Sequence, residues 1–310
     1  MSENAKILLM HITKTSGHHR ATLAIESALR LIQPNVKTMN INGFAYAYPM
    51  LEKIANGVYM SIIKRRPQIW EYLYDNPKVI KKTGKIRKIL SHARHPRLAK
   101  LFQKFNPSVV ICSQAFPCGM VGDFKKHYNY PVKLIGVLTD FAPHHYWVNE
   151  MVDFYIVPTQ EAAERLVKEG IQRERIKIYG IPVDPKFTHS VDKEKVAKAL
   201  GFDLNIPIIL IMGGGQGLGP TKTIVKALAQ IKNPFQLIVL TGTNRKALRR
   251  VKKRKFPYGQ KVIALPFVEN IHELMDIASF AITKPGLWLS TPFLARRKET
   301  QSFFWKKGSR

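Results

Sequence analysis

Short apolar runs recur along the chain, and most are followed by a polar or glycine-rich turn and then by residues at helical spacing. Lys6–Ile12 is the first run. The polar turn 13–17 follows, and His18 opens a segment with Ala21, Ile25, Ala28, Leu29 and Ile32 on one helical face. Further runs at 107–112, 132–138, 152–157 and 176–179 read as short buried strands, with Thr159 capping a helix to about residue 168. In the second half, strands at 206–212, 236–240, 261–265 and 279–283 alternate with helices at 221–231, 244–253 and 270–276. Strand, short loop and helix in alternation predict parallel sheets covered on both faces, so the fold class is α/β with two doubly wound units. The turn formers from Gly180 to Pro185 mark the boundary, giving domains at 1–183 and 184–286.

The loop after the strand at 206–212 has five glycines in seven residues: Gly213, Gly214, Gly215, Gly217 and Gly219, with Gln216 among them. Pro220 then suits a first helical turn. Glycines without Cβ atoms let backbone N–H groups close on an anion, and the helix N-terminus adds partial positive charge. The alternative is a tight turn that binds nothing. No Lys-Ser/Thr pair follows, which excludes a P-loop, and the spacing fails the G-x-G-x-x-G dinucleotide pattern.

Charge narrows the partners. Fifty Lys/Arg against 21 Asp/Glu give a net charge of +29, which favours an anionic partner. No acid lies between Asp75 and Asp123, while cations from Lys78 to Lys104 interleave with Ile86, Ile89, Leu90, Leu98, Leu101 and Phe102, and Pro96 interrupts any single helix. This reads as a basic amphipathic element for an anionic membrane surface, or as a solvated helix face. Residues 43–75, rich in aromatics, fit either core packing or a lipid-facing rim. Nucleic acid fits the charge alone, but no reader module is recognisable, and no nucleic-acid partner is expected. Cys112 and Cys118 have neither zinc nor redox spacing, so a reducing compartment is expected. The N-terminus lacks a signal-peptide pattern and no apolar run is long enough to span a bilayer, so a cytoplasmic, peripheral-membrane location is expected.

Two strand ends carry candidate chemistry. His18 stands where open α/β sheets place ligands, or is a capping histidine. The strand at 132–138 runs into Thr139, Asp140, His144, His145 and Trp147. Adjacent histidines point apart and no third ligand has metal spacing, so no metal is expected.

These motifs resemble the diacylglycerol glycosyltransferases, the group of monogalactosyldiacylglycerol synthases and processive diacylglycerol glucosyltransferases. The matching pieces run in the family's order from residue 6 to 286: Ser16 to Ala21; Thr139, Asp140 and Phe141 with His144 and Trp147; Gly180 to Pro185; Gly213 to Gly219; Thr241 to Asn244; Phe267 to Asn270; and Ile282 to Gly286. The resemblance implies a two-domain GT-B fold, an amino-terminal domain for diacylglycerol and the membrane, and a carboxy-terminal domain for a UDP-hexose. It implies inverting transfer with no cofactor beyond the UDP-sugar donor. His18 is then the expected base and Asp140 the second candidate, with Gly17, His144 and Trp147 on the acceptor side. Gly213, Gly214, Gly215, Gln216, Gly217, Thr241, Gly242, Asn244, Phe267, Val268, Lys284, Pro285 and Gly286 are the expected donor contacts.

After Gly286 the chain departs from the family pattern, which continues with an acid for the ribose and a loop for the sugar. Residues 287–310 are therefore read as a tail foreign to the fold, left by truncation or frameshift, with the second domain incomplete. On that reading an inactive, membrane-binding fragment is the alternative to an active transferase, and a nucleic-acid-binding protein the third.

Overall fold

The computed structural model describes residues 5–12, 16–50, 96–143, 145–215, 217 and 220–283. The chain divides into two compact units between Pro182 and Val183. The stretch 51–95, with most of the aromatic and basic interval, and the residues from Lys284 onward, with the proposed break and tail, lie outside the described residues.

The first unit is a six-stranded, wholly parallel sheet in the order β2-β1-β3-β4-β5-β6. Its strands are β1 (Lys6–His11), β2 (Lys37–Asn42), β3 (Val109–Cys112), β4 (Lys133–Val137), β5 (Phe154–Val157) and β6 (Ile176–Ile178). Its helices are α1 (Gly17–Ile32), α2 (Gly43–Ala47), α3 (Pro96–Phe105), α4 (Ala115–Tyr128) and α5 (Gln160–Lys168). Parallel strands buried on both faces need continuous apolar runs, and β1 has five buried residues of six. Leu8 and Met10 join the larger core on one face, Ile7 and Leu9 the smaller one on the other.

Sequence spacing missed two elements. β2, KTMNIN, has no fully buried side chain and so no apolar run, as suits an edge strand. α4 contains Pro117, Gly119 and Gly122 and buries most of its circumference, which erases the one-faced periodicity of a surface helix. A Cβ on Gly122 would collide with the Asn149 side chain, so glycine there buys close packing at a cost in helix propensity. Pro96 opens α3, where its missing N–H costs nothing. Leu98, Leu101 and Phe102 of α3 turn into the core, leaving Arg97, Lys100 and Lys104 outside. In this part of the basic amphipathic interval the apolar positions belong to the core, and only the cations are left for an anionic surface.

The second unit is a four-stranded parallel sheet in the order β10-β7-β8-β9. Its strands are β7 (Ile208–Met212), β8 (Gln236–Leu240), β9 (Lys261–Leu265) and β10 (Phe280–Thr283). Its helices are α6 (Lys193–Leu200), α7 (Thr221–Leu228), α8 (Arg245–Lys252) and α9 (Ile271–Ile277). Alternate residues serve opposite faces: Ile208, Leu210 and Met212 pack with α6 and α9, while Ile209 and Ile211 pack with α7 and α8.

Candidate functional site

In the first unit the chain leaves β1 and enters α1 at Gly17, where the Ser16 Oγ accepts the His19 N–H at 3.2 Å. The cap fixes His18 in the first turn, at the carboxyl end of β1. There β1 lies between β2 and β3, the point at which the strand order reverses and α/β sheets open a crevice. The His18 Nδ1 lies 2.7 Å from the Oγ1 of Thr139, a buried residue just past the end of β4. Burial lowers the His18 pKa below its ordinary value, with the Asp140 charge and the Ser113 backbone pulling the other way. The ring is therefore neutral at pH 7, the state in which an imidazole accepts a proton. Asp140 itself is exposed.

A polar network lies behind this turn. The rings of His11 and His19 stack with centroids 4.0 Å apart. His11 Nδ1 is 3.1 Å from Asn40 Oδ1, which also accepts from the Thr22 hydroxyl at 3.2 Å. Asn40 Nδ2 donates to Glu26 Oε2 at 3.1 Å, and Glu26 Oε1 accepts from Thr38 and Arg30. Burial would raise the Glu26 carboxyl, but hydrogen bonds from Thr38, Asn40 and Arg30 hold it below its usual range. The network pins α1 to the edge strand β2 and so fixes the helix end that carries His18. Sequence reading missed Thr139 as the partner of His18, and Asn40 and Glu26 altogether.

Trp147 requires a correction. It lies in a single 3-10 turn, is 2% exposed, and its ring packs against Gly136 beside Tyr155. The Tyr155 hydroxyl donates to the Trp147 carbonyl at 2.8 Å. Trp147 is a core residue, not a wall open to an acceptor. Gly17 occupies the first position of α1, and His144 lies outside the described residues.

In the second unit the glycine loop follows β7, and α7 begins at Thr221 with Pro220 at its N-cap and no side-chain cap. The loop is braced by the segment after β8. Thr243 N–H donates to the Gly215 carbonyl at 3.0 Å, and Asn244 Nδ2 to the Gly217 carbonyl at 3.1 Å. Gly217 and Gly242 have φ of 60° and 55°, and a Cβ on either would overlap a carbonyl of the other loop, Thr241 for Gly217 and Gly215 for Gly242. These two glycines are thus required by loop-to-loop packing as well as by any close approach of a ligand. Gly214 also has positive φ, and Gly213 packs against Gly217 and the Thr221 hydroxyl.

The expected donor residues divide. The Thr241 hydroxyl is buried and bonded to the Leu265 carbonyl at 3.1 Å, so it braces the loop and does not face a nucleotide. Asn244 caps α8 through Oδ1, accepting the Ala247 N–H at 2.9 Å. Phe267 and Val268 follow β9, half-buried, with Val268 packed on the core. Gln216, Lys284, Pro285 and Gly286 lie outside the described residues. Among the described residues no three His, Cys, Asp or Glu side chains gather to hold a metal ion.

Each unit is a parallel, doubly wound α/β sheet with its glycine-rich or histidine-bearing loops at the strand ends, a fold shared with solved GT-B glycosyltransferases. The crystal structure of Anabaena HepE in complex with UDP-glucose aligns with a TM-score of 0.52 at 14% identity, covering 90% of this chain and 73% of that one. MurG of Acinetobacter baumannii gives a TM-score of 0.52 at 14% identity over 94% of this chain and 74% of that one. The profile of the monogalactosyldiacylglycerol (MGDG) synthase family matches residues 18–183, so the chain belongs to that family. Among similar curated proteins is the processive diacylglycerol beta-glucosyltransferase of Bacillus pumilus (strain SAFR-032). It is 27% identical over 287 residues, covering 92% of this chain and 74% of that protein. The enzyme of the same name from Bacillus subtilis (strain 168) is 26% identical over 324 residues, covering all of this chain and 83% of that protein.

Proposed function

We propose that this glycosyltransferase moves a hexose from a UDP-sugar to the free hydroxyl of diacylglycerol at a membrane surface, with inversion at the anomeric carbon. The observation that carries the reading is His18 held against Thr139 at the switch point of the first unit. Direct displacement needs a base for the acceptor proton, and an imidazole whose pKa lies below its ordinary value is unprotonated at neutral pH. Thr139 and the Ser113 backbone orient the ring, and an imidazole nitrogen would exchange its bond to the protein for one to the acceptor hydroxyl. As that oxygen bonds to the anomeric carbon, the bond to the UDP oxygen breaks and the hydroxyl proton passes to His18. Asp140, beside it and exposed, favours the imidazolium that forms.

In the second unit the diphosphate of the donor would rest on the backbone amides of Gly214 and Gly215 and on the open N-terminus of α7. Phe267 and Val268 would lie toward the base. The relatives' names support the acceptor, and the HepE complex with UDP-glucose supports the donor class. Among the described residues no helix is long and apolar enough to cross a membrane. The exposed Arg97, Lys100 and Lys104 of the first unit suit an approach to an anionic bilayer surface. Calorimetric titration with UDP tests the donor half: saturable binding by the wild-type chain, abolished by Gly217→Ala, is expected, and a folded chain that takes up no UDP would refute it.

A further inference from the structure

Twelve lysines and arginines and no acidic residue lie between Asp203 and Glu269. The fold gathers six of these cations on one side of the second unit. α7 and α8 pack side by side on one face of the sheet through Val225, Leu248 and Val251. Their outward faces carry the exposed Lys222 and Lys226 on α7, and Arg245, Lys246, Arg249 and Arg250 on α8. None of these six has a carboxylate within ion-pair distance among the described residues. The opposite face is mixed, with Glu194 on α6 and Glu273 and Asp276 on α9. Charge that served only solubility would not need such sorting, because like charges this close repel and oppose compactness.

We infer that the α7–α8 face of the second unit is a docking surface for anionic phospholipid headgroups, so that the donor-binding unit has its own contact with the bilayer. The chemistry is that of a dense, unpaired cation layer against a negatively charged leaflet, where each Lys or Arg near the surface adds favourable free energy. The face lacks the exposed aromatic rows that stack bases of single-stranded nucleic acid, which favours a lipid surface over that partner. The choice of a bilayer rests on the proposed diacylglycerol acceptor. Transfer to detergent-dispersed diacylglycerol, which needs no vesicle, tests that acceptor separately.

The test is sedimentation of the full chain with vesicles of phosphatidylcholine alone or mixed with phosphatidylglycerol, at physiological salt. Replacing Lys246, Arg249 and Arg250 by Gln should weaken binding to the anionic vesicles by about a hundredfold. Transfer to detergent-dispersed diacylglycerol should persist. Lys193→Gln, Lys195→Gln and Lys198→Gln on the opposite face should leave vesicle binding within about threefold, since that face lies beyond a Debye length. If the triple change impairs folding, Lys246→Gln alone, at an exposed position, should still cost about fivefold. Unchanged binding in the α8 variants would overturn the inference. So would equal losses from the two faces, or tighter binding to duplex DNA than to anionic vesicles at matched salt.

Discussion

Asn244 holds the glycine loop through its side-chain amide: Nδ2 donates to the Gly217 carbonyl at 3.1 Å, while Oδ1 accepts the Ala247 N–H and caps α8. One side chain thus starts a helix and fixes the shape of the neighbouring loop. The two roles separate by substitution. Asn244→Ser keeps a capping oxygen but cannot reach Gly217. Its melting stability should stay within about 1 kcal/mol of the wild type, as cap exchanges among good N-cap residues do. UDP affinity should nonetheless fall about tenfold, the loss of one positioned bond of about 1.4 kcal/mol. Unchanged UDP affinity in a thermally normal Asn244→Ser chain would show that the brace does not shape the donor site.

Asp140 offers a discriminating pH experiment. Its charge raises the His18 pKa against the larger, lowering effect of burial. In Asp140→Asn burial acts with less opposition, so the His18 pKa falls further. The acid limb of kcat/KM, which reports protonation of the free enzyme's base, should then move to lower pH while activity at neutral pH persists. Collapse of activity at every pH would make Asp140 the base instead.

Glu26 links the network behind His18 to stability. Its folded-state carboxyl is held below the ordinary value. The contribution is therefore present above the unfolded-state pKa and lost as pH falls through the folded one. Glu26→Gln should lower the urea midpoint at neutral pH, and the difference from wild type should shrink on acidification below the carboxylate range. A difference that is constant with pH would assign the loss to packing alone.

Trp147 is buried at 2% in the first core. Trp147→Ala should cost about 3–5 kcal/mol in denaturant unfolding, the range for deleting a large aromatic from a core. Trp147→Phe should recover most of it and leave the KM for diacylglycerol unchanged. A raised KM with normal stability would restore the acceptor-side role.

Much of the fold was legible because parallel strands buried on both faces must be apolar throughout, and β1, β7 and β8 show it plainly. The edge strand β2 and the nearly all-round-buried α4 gave no such signal, since neither burial pattern has a distinctive period. His18 was legible as a histidine at a strand-to-helix turn. Its partner Thr139 was not, because 121 residues separate them and only the pairing of β1 with β3 and β3 with β4 brings the strand ends together. Trp147 was misread for the same reason: local sequence beside a strand end does not say whether a ring turns outward or into the core. The glycines at 217 and 242 were legible as a tight loop, but not as two loops packed into each other.

The most direct measurement is transfer of labelled hexose from a UDP-hexose to detergent-dispersed diacylglycerol by the wild-type chain and by His18→Ala. The account predicts a labelled glycolipid from the wild type and a rate lower by about 10²–10⁴ in the variant, the range for losing a general base. Equal rates in the two chains, or no labelled lipid from a folded wild-type chain that binds UDP, would contradict it.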